Sequence, residues 1–214
     1  MPENALLSKL NDGVFIMYHR KSDDFPLIVK LHKWTSLQNG GEIADGVAIV
    51  EGGKILVVAP TQATTKLTWS SGDVSGGGTT TWDRVTALND WNGKTNTQKQ
   101  IAASKEGAVT NTASYAPGFC NLYSRSNANG KGLTAGKWWL PSLGEMMMIY
   151  ANMTKVNYAL SLISGATQLV EDIYWTSTEA GAAGAWCLYL GGNAGTSAKA
   201  SDQRYVRAVS AFIS

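Results

Sequence analysis

The chain has 214 residues, 44% hydrophobic and only 16% charged, enough apolar material for one large domain and too little charge for a disordered protein. Eighteen basic residues against 16 acidic ones leave a net charge of +2, and no run of Lys or Arg provides the electrostatic footprint of a nucleic-acid binder. No apolar stretch approaches the roughly 20 residues of a spanning helix, so membrane insertion is not expected.

The N-terminus, MPENALLSKLNDG, has no basic region followed by an apolar stretch, so no signal peptide is expected in it. Export would use another route, such as a virion, or a signal that this sequence lacks. Two β-type runs, 13–18 and 26–31, are separated by the polar turn Lys21-Ser22-Asp23-Asp24. Runs at 46–50 and 54–59 flank Glu51-Gly52-Gly53, and a Gly-Gly pair between β runs is a strong hairpin signal. A Gly/Ser/Thr stretch follows. Its segment 71–81 reads as a flexible loop between a β-rich N-terminal segment, 1–70, and a second unit, 82–214. Gly76–Gly78 is no phosphate loop, because no Lys-Ser/Thr pair follows it.

Beyond the loop, Trp82, Val85, Leu88 and Trp91 recur near helical spacing and predict a helix with a buried stripe. Thr95 or Asn96 is the expected cap of a second helix through Ile101. A weaker helical pattern over 108–122 is expected to end near Pro117-Gly118. Trp138-Trp139-Leu140-Pro141 reads as extended, and Ser142 with Glu145 forms a capping box that opens a helix carrying Met146, Met147 and Met148. A further short helix starts at Thr154. Strands are expected at 173–177, 186–190 and 205–212, separated by Gly/Ala/Ser segments. The fold class is therefore α+β, with helices in the middle and an antiparallel sheet built by both chain ends.

Eight Trp and 23 Gly suggest irregular segments pinned by large aromatics. Trp82, Trp91, Trp138, Trp139, Trp175 and Trp186 are expected as such pins. Whether Cys120 and Cys187 form a disulfide is left open by their spacing. His19 and His32 fall in the N-terminal runs and read as structural or exposed, Glu145 as a helix cap, and Glu179 as part of a frame. No nucleophile–base pair and no metal-ligand spacing stands out, so neither catalysis nor a cofactor is expected.

The ordered set Leu88-Asn89-Asp90-Trp91-Asn92-Gly93-Lys94-Thr95-Asn96-Thr97, Trp138-Trp139-Leu140-Pro141-Ser142-Leu143-Gly144-Glu145, Tyr174-Trp175-Thr176-Ser177-Thr178-Glu179 and Val206-Arg207-Ala208-Val209 is distinctive. It resembles bacterial and phage proteins with a C-type lectin fold of the formylglycine-generating-enzyme-like type. Many of these are variable proteins of diversity-generating retroelements. The resemblance covers about Trp82 to Phe212, and residues 1–70 take no part in it. It implies a C-type lectin-like domain, preceded by the β-rich segment, whose C-terminal region 174–212 is rewritten at adenines by error-prone reverse transcription. Trp codons, which lack adenine, stay fixed. Between Ala180 and Tyr205, only Trp186, Lys199 and Gln203 lie outside the residue types reachable from an Asn codon.

The function implied is a non-enzymatic ligand- or receptor-binding protein on a phage tail or a bacterial cell surface. Its partner would be a protein or glycan receptor. In a strand, Cys187 and Tyr189 would face one side and Leu188 and Leu190 the other, which makes Cys187 and Tyr189 display positions. The expected contact set is Ala180, Gly181, Ala182, Cys187, Tyr189, Asn193, Ala194, Thr196, Ser197, Ser201, Asp202 and Arg204, with Tyr189 as the main anchor. The competing reading is an undiversified carbohydrate-binding or adhesin-like protein of the same fold. A calcium-dependent lectin is disfavoured, since the chain contains no Glu-Pro-Asn, Gln-Pro-Asp or Trp-Asn-Asp tripeptide. Oligomeric state is left open.

Overall fold

β-Branched residues dominate the N-terminal part and build the first layer. The computed structural model describes residues 11–212, and within them β1 (Gly13–His19), β2 (Pro26–Val29), β3 (Ala44–Glu51) and β4 (Lys54–Val58) pair antiparallel. Gly52 and Gly53 close the β3–β4 hairpin with φ of 56° and 75°, left-handed values that suit glycine. The chain returns at its far end to add β8 (Val209–Ser210) beside β4, giving the order β2-β1-β3-β4-β8.

This sheet is covered on both faces, which is why β3 is buried at every residue except Glu51. Ile16, Val47, Ile49, Leu56 and Val58 meet one cluster, with helices α5 (Leu143–Ala151) and α6 (Met153–Ser161). Met17, Ala48 and Val57 meet a second cluster that holds Trp69, Trp138, Trp175 and Val206. Both clusters draw residues from either side of 71–81, so that loop separates no independent cores.

A second, three-stranded antiparallel sheet consists of β5 (Ile173–Glu179), β6 (Gly184–Tyr189) and β7 (Asn193–Ala198), in that order. The fold is α+β, with six helices and two antiparallel sheets among the described residues. β7 was expected as a separator of small residues. Its NAGTSA sequence lacks strand formers, and the ladder from Tyr189–Asn193 to Gly184–Ala198 along β6 imposes the conformation. The expected strand 205–212 is regular only at Val209–Ser210, with single bridges at Tyr174–Tyr205 and Trp139–Val209.

Four helical expectations are corrected. Helix α1 (Leu31–Asn39) was missed because Leu31 was read into the 26–31 β run, which leaves only Trp34 and Leu37 to mark the apolar side of an otherwise polar segment; the Trp34 ring packs on Tyr18 at 5.7 Å. Helix α2 (Arg84–Leu88) is a short turn capped by Asp83, and only Ala87 is buried. The predicted stripe faces outward instead, with Trp82 72% and Val85 67% exposed. Helix α3 (Gly93–Ala102) begins ahead of Thr95 and Asn96, so neither caps it. Pro117-Gly118 opens α4 (Ala116–Leu122) rather than ending a helix, because a first turn does not need the missing proline N–H.

The capping box is present. Ser142 Oγ accepts from the Glu145 N–H, and Glu145 Oε2 accepts from the Ser142 N–H at 2.8 Å and from Trp139 Nε1 at 3.1 Å. Burial pushes the Glu145 carboxyl up to about 7. A carboxyl raised above its ordinary value takes up protons on folding, so its contribution to stability is full below about 4.5 and is lost as pH rises through about 7. Glu145→Gln keeps an acceptor for both donors and removes the titration. Denaturant melts at pH 5 and pH 8 should show wild type losing on the order of 3 kcal/mol relative to the variant; an unchanged difference contradicts the assignment.

Candidate binding surface

From its second residue on, β5 runs Tyr174-Trp175-Thr176-Ser177-Thr178-Glu179, a largely polar stretch that is buried throughout. Buried polar groups need partners, and every polar side chain of this run except the Ser177 hydroxyl finds one. Thr176 Oγ1 donates to the Trp186 carbonyl at 2.7 Å, and the Ser177 N–H donates to the Pro141 carbonyl at 2.8 Å. Thr178 Oγ1 donates to Asp90 Oδ2 at 2.7 Å and accepts from the Leu143 N–H at 2.9 Å.

Asp90 is the knot where the sequence motifs meet. Its Oδ1 accepts from Thr79 Oγ1 and from the Asn92 backbone and side chain, each at 3.0 Å. Its Oδ2 accepts from Asn96 Nδ2 at 2.9 Å as well as from Thr178. The Asp90 carbonyl takes Ser142 Oγ at 2.7 Å and the Gly144 N–H at 3.0 Å. The Leu88–Thr97 motif, the Trp138–Glu145 motif and β5 therefore converge on one buried residue, β5 through the Asp90 carboxylate and the Trp138–Glu145 motif through its carbonyl. These residues are architectural.

Glu179 closes β5 and is completely buried. Its Oε2 accepts from Lys199 Nζ at 2.5 Å and from the Gly76 N–H at 2.8 Å, and its Oε1 from Gln100 Nε2 at 3.2 Å. Lys199, also fully buried, donates to the Val74 carbonyl at 2.7 Å and lies 4.2 Å from the Trp69 ring centre. Burial pulls its ammonium below the ordinary value, against the upward pull of Glu179. Segment 71–81 is thus a strap and not the expected flexible loop. Val74 N–H donates to Ala182 O, and Thr81 N–H to Glu179 O. Gly76 permits the approach, since an added Cβ would lie 2.4 Å from Gln100 Cγ. Arg207 is buried likewise, donating to Ala59 O and Thr167 O at 2.9 Å each and to Gln62 Oε1 at 3.0 Å. Burial brings its guanidinium down to about 10.

Within this frame the predicted contact residues divide. Ala182, Tyr189, Asn193, Thr196 and Ser201 are exposed, and Gly181, Asp202 and Arg204 are half-buried. Tyr189 donates its hydroxyl to Glu171 at 2.8 Å. Arg204 reaches Ser197 Oγ and Asp202, and Asp202 also accepts from the Ala198 N–H, so this pair shapes the turn after β7. Ala180, Cys187, Ala194 and Ser197 are buried and lie outside a solvent-facing patch.

Cys187 corrects the display assignment most clearly. Alternation in β6 separates two cores and not core from solvent: Trp186 and Leu188 enter the first cluster, Ala185 and Cys187 the second. The thiol sits 3.4 Å from Ser197 Oγ, and burial pushes its pKa up. Cys120 is buried too, and both thiols are free.

Sequence reasoning missed two rim positions. Gly195, opposite Cys187 on β7, has open space where a Cβ would stand. Trp82 lies beside Gly181, an added Cβ there being 3.9 Å from its ring; its helical spacing had disguised it as core. Trp91, another expected pin, is 38% exposed, with Lys54 Nζ 4.8 Å from its ring centre. Among the described residues no group of three or more His, Cys, Asp or Glu could hold a metal, and no helix is long and apolar enough to cross a membrane.

The sequence matches no protein-family model and no curated protein. Among solved structures, the chain is similar to a fimbrial protein from Bacteroides ovatus, with a TM-score of 0.53 and 19% identity. The likeness covers 73% of this chain and 35% of that one, so the chain spans about a third of that protein's length. At this identity the likeness is one of fold.

Removing one partner of a buried ion pair strands the other charge. Lys199→Ala should cost about 3–5 kcal/mol in urea unfolding. A loss below about 1 kcal/mol would mean that the frame does not depend on this pair.

Proposed function

We propose that this chain is a non-enzymatic binding protein with a C-type lectin-like domain, carried on a bacterial cell surface or a phage virion, whose C-terminal rim is diversified by a retroelement. The observation that carries the reading is the contrast within residues 174–210. Frame residues Tyr174–Glu179, Lys199 and Arg207 are buried, while Ala182, Tyr189, Asn193, Thr196 and Ser201 stand outside, around the open Gly195 position. A rigid support with replaceable outer side chains suits binding, because pre-ordering the support lowers the entropic cost of association. Tyr189 supplies amphipathic contact area, and Asp202 with Arg204 supplies charge. No cofactor or metal enters this reading.

A second reading is an undiversified adhesin-like protein of the same fold. The fold likeness to a fimbrial protein favours it, since that relative's name describes a surface appendage.

Sequencing the encoding locus separates the two. Diversification predicts a near-copy of the codons for 174–212 beside a reverse transcriptase gene, differing only at adenines. The differing codons should fall on the exposed positions and spare Cys187. A locus without such a copy overturns diversification and leaves the adhesin reading. For either reading, Tyr189→Ala combined with Arg204→Ala should abolish receptor binding with Tm almost unchanged; a collapse of Tm would reassign both residues to the frame.

A further inference from the structure

A cleft of ≈ 650 Å³ opens beside the rim, between the end of α5, the outer face of α6 and residue 168. Its walls are Tyr150, Met153, Thr154, Asn157, Tyr158 and Gln168. Thr154 and Tyr158 lie four apart on α6 and share one face of that helix. Tyr158 is 59% exposed. The Tyr150 hydroxyl abuts the β6–β7 turn, where a Cβ added to Gly192 would lie 2.9 Å from it.

The far wall is held rigidly. Asn157 accepts from the Leu169 N–H at 2.7 Å and donates to the Leu169 carbonyl at 2.9 Å, clamping segment 168–170 against the helix. Gln168 donates its amide nitrogen to the Asn157 carbonyl at 3.2 Å, so its Oε1 is free to accept. Among the described residues, the hydroxyls of Tyr150, Thr154 and Tyr158 also have no protein partner within the hydrogen-bond network around the cleft.

We propose that this cleft is a binding site for an uncharged oligosaccharide. Its volume lies within the range of small-molecule sites, roughly 300–1,000 Å³. Tyr150 and Tyr158 supply aromatic surface for the C–H groups of a sugar ring, and the Tyr158 and Thr154 hydroxyls supply hydrogen-bonding groups for its hydroxyls. Gln168 supplies a positioned acceptor. No lining residue carries a charge, which removes the attraction that an acidic glycan or a charged peptide would need. The lining mixes polar and apolar surface, which suits a sugar ring with C–H and hydroxyl faces better than a wholly apolar helix or lipid tail. The site uses no residue of the expected contact set, so it stands apart from the rim and does not rest on diversification.

The test is titration of the purified chain, followed by calorimetry and NMR, with hexasaccharides of glucose (α- and β-linked), mannose and N-acetylglucosamine, and with oligogalacturonate as the acidic control. At least one neutral oligosaccharide should bind. Tyr158→Ala and Gln168→Ala should each weaken it about tenfold, the equivalent of one lost contact of about 1.4 kcal/mol. Both positions are exposed, so Tm should hold, and Tyr189→Ala with Arg204→Ala should leave this affinity unchanged. Absence of binding to every neutral oligosaccharide, a preference for the acidic control, or undiminished binding by the Tyr158→Ala/Gln168→Ala double variant would overturn the proposal.

Discussion

The C-terminal region is held by a charge pair with no access to water. Glu179 and Lys199 meet across the second sheet, and each also holds the strap that passes beneath it, through Gly76 and Val74. Desolvating two charges is costly, so such a pair adds little net stability compared with apolar side chains of similar size. Its effect is on geometry. The segment from Ala180 to Arg204 is rich in Gly, Ala and Ser, and small residues bury too little surface to fix their own position. Trp186, Leu188 and Leu190 anchor one side of this segment, and the ion pair fixes its other end.

A sheet covered on both faces limits where variation can be tolerated. β5 and most of β6 are closed to substitution, because inward positions on either face meet a packed cluster. What remains is the edge strand β7, the turns at its ends and the 181–183 loop. The proposed binding rim is therefore narrow and built from edges. The tyrosine-lined cleft continues along the same border past the β6–β7 turn, so two chemically different surfaces lie side by side.

Much of the fold was legible. The runs at 13–18, 46–50 and 54–59 signal their strands through β-branched residues and a Gly-Gly turn, and Ser142 with Glu145 announces α5 by capping chemistry. These are local signals, and local chemistry decides the outcome. β7 and α1 were hidden for different reasons: β7 takes its conformation from β6, and the first residue of α1, Leu31, continues the β run that precedes it. The site was only partly legible. Tyr189 and Asn193 lie near the end of a hairpin and stay outside. Cys187 shows the limit, since alternation reveals two faces of a strand and says nothing of whether a second layer covers the outer one. The burial of Lys199 was likewise invisible, because its partner Glu179 lies 20 residues away and the strap that completes the contact is over a hundred.

The most direct test of the central claim, a fixed frame with a replaceable rim, is a stability scan over both groups of positions. Every substitution would be made at Ala182, Tyr189, Asn193, Gly195, Thr196 and Ser201, and at Ala180, Cys187, Ala194 and Ser197, with folded fraction read by protease resistance. Rim variants should stay within about 0.5 kcal/mol of wild type, apart from proline. Larger residues at the buried positions should lose about 1–3 kcal/mol. Equal tolerance in the two groups, or a fragile rim over a permissive interior, would contradict the account.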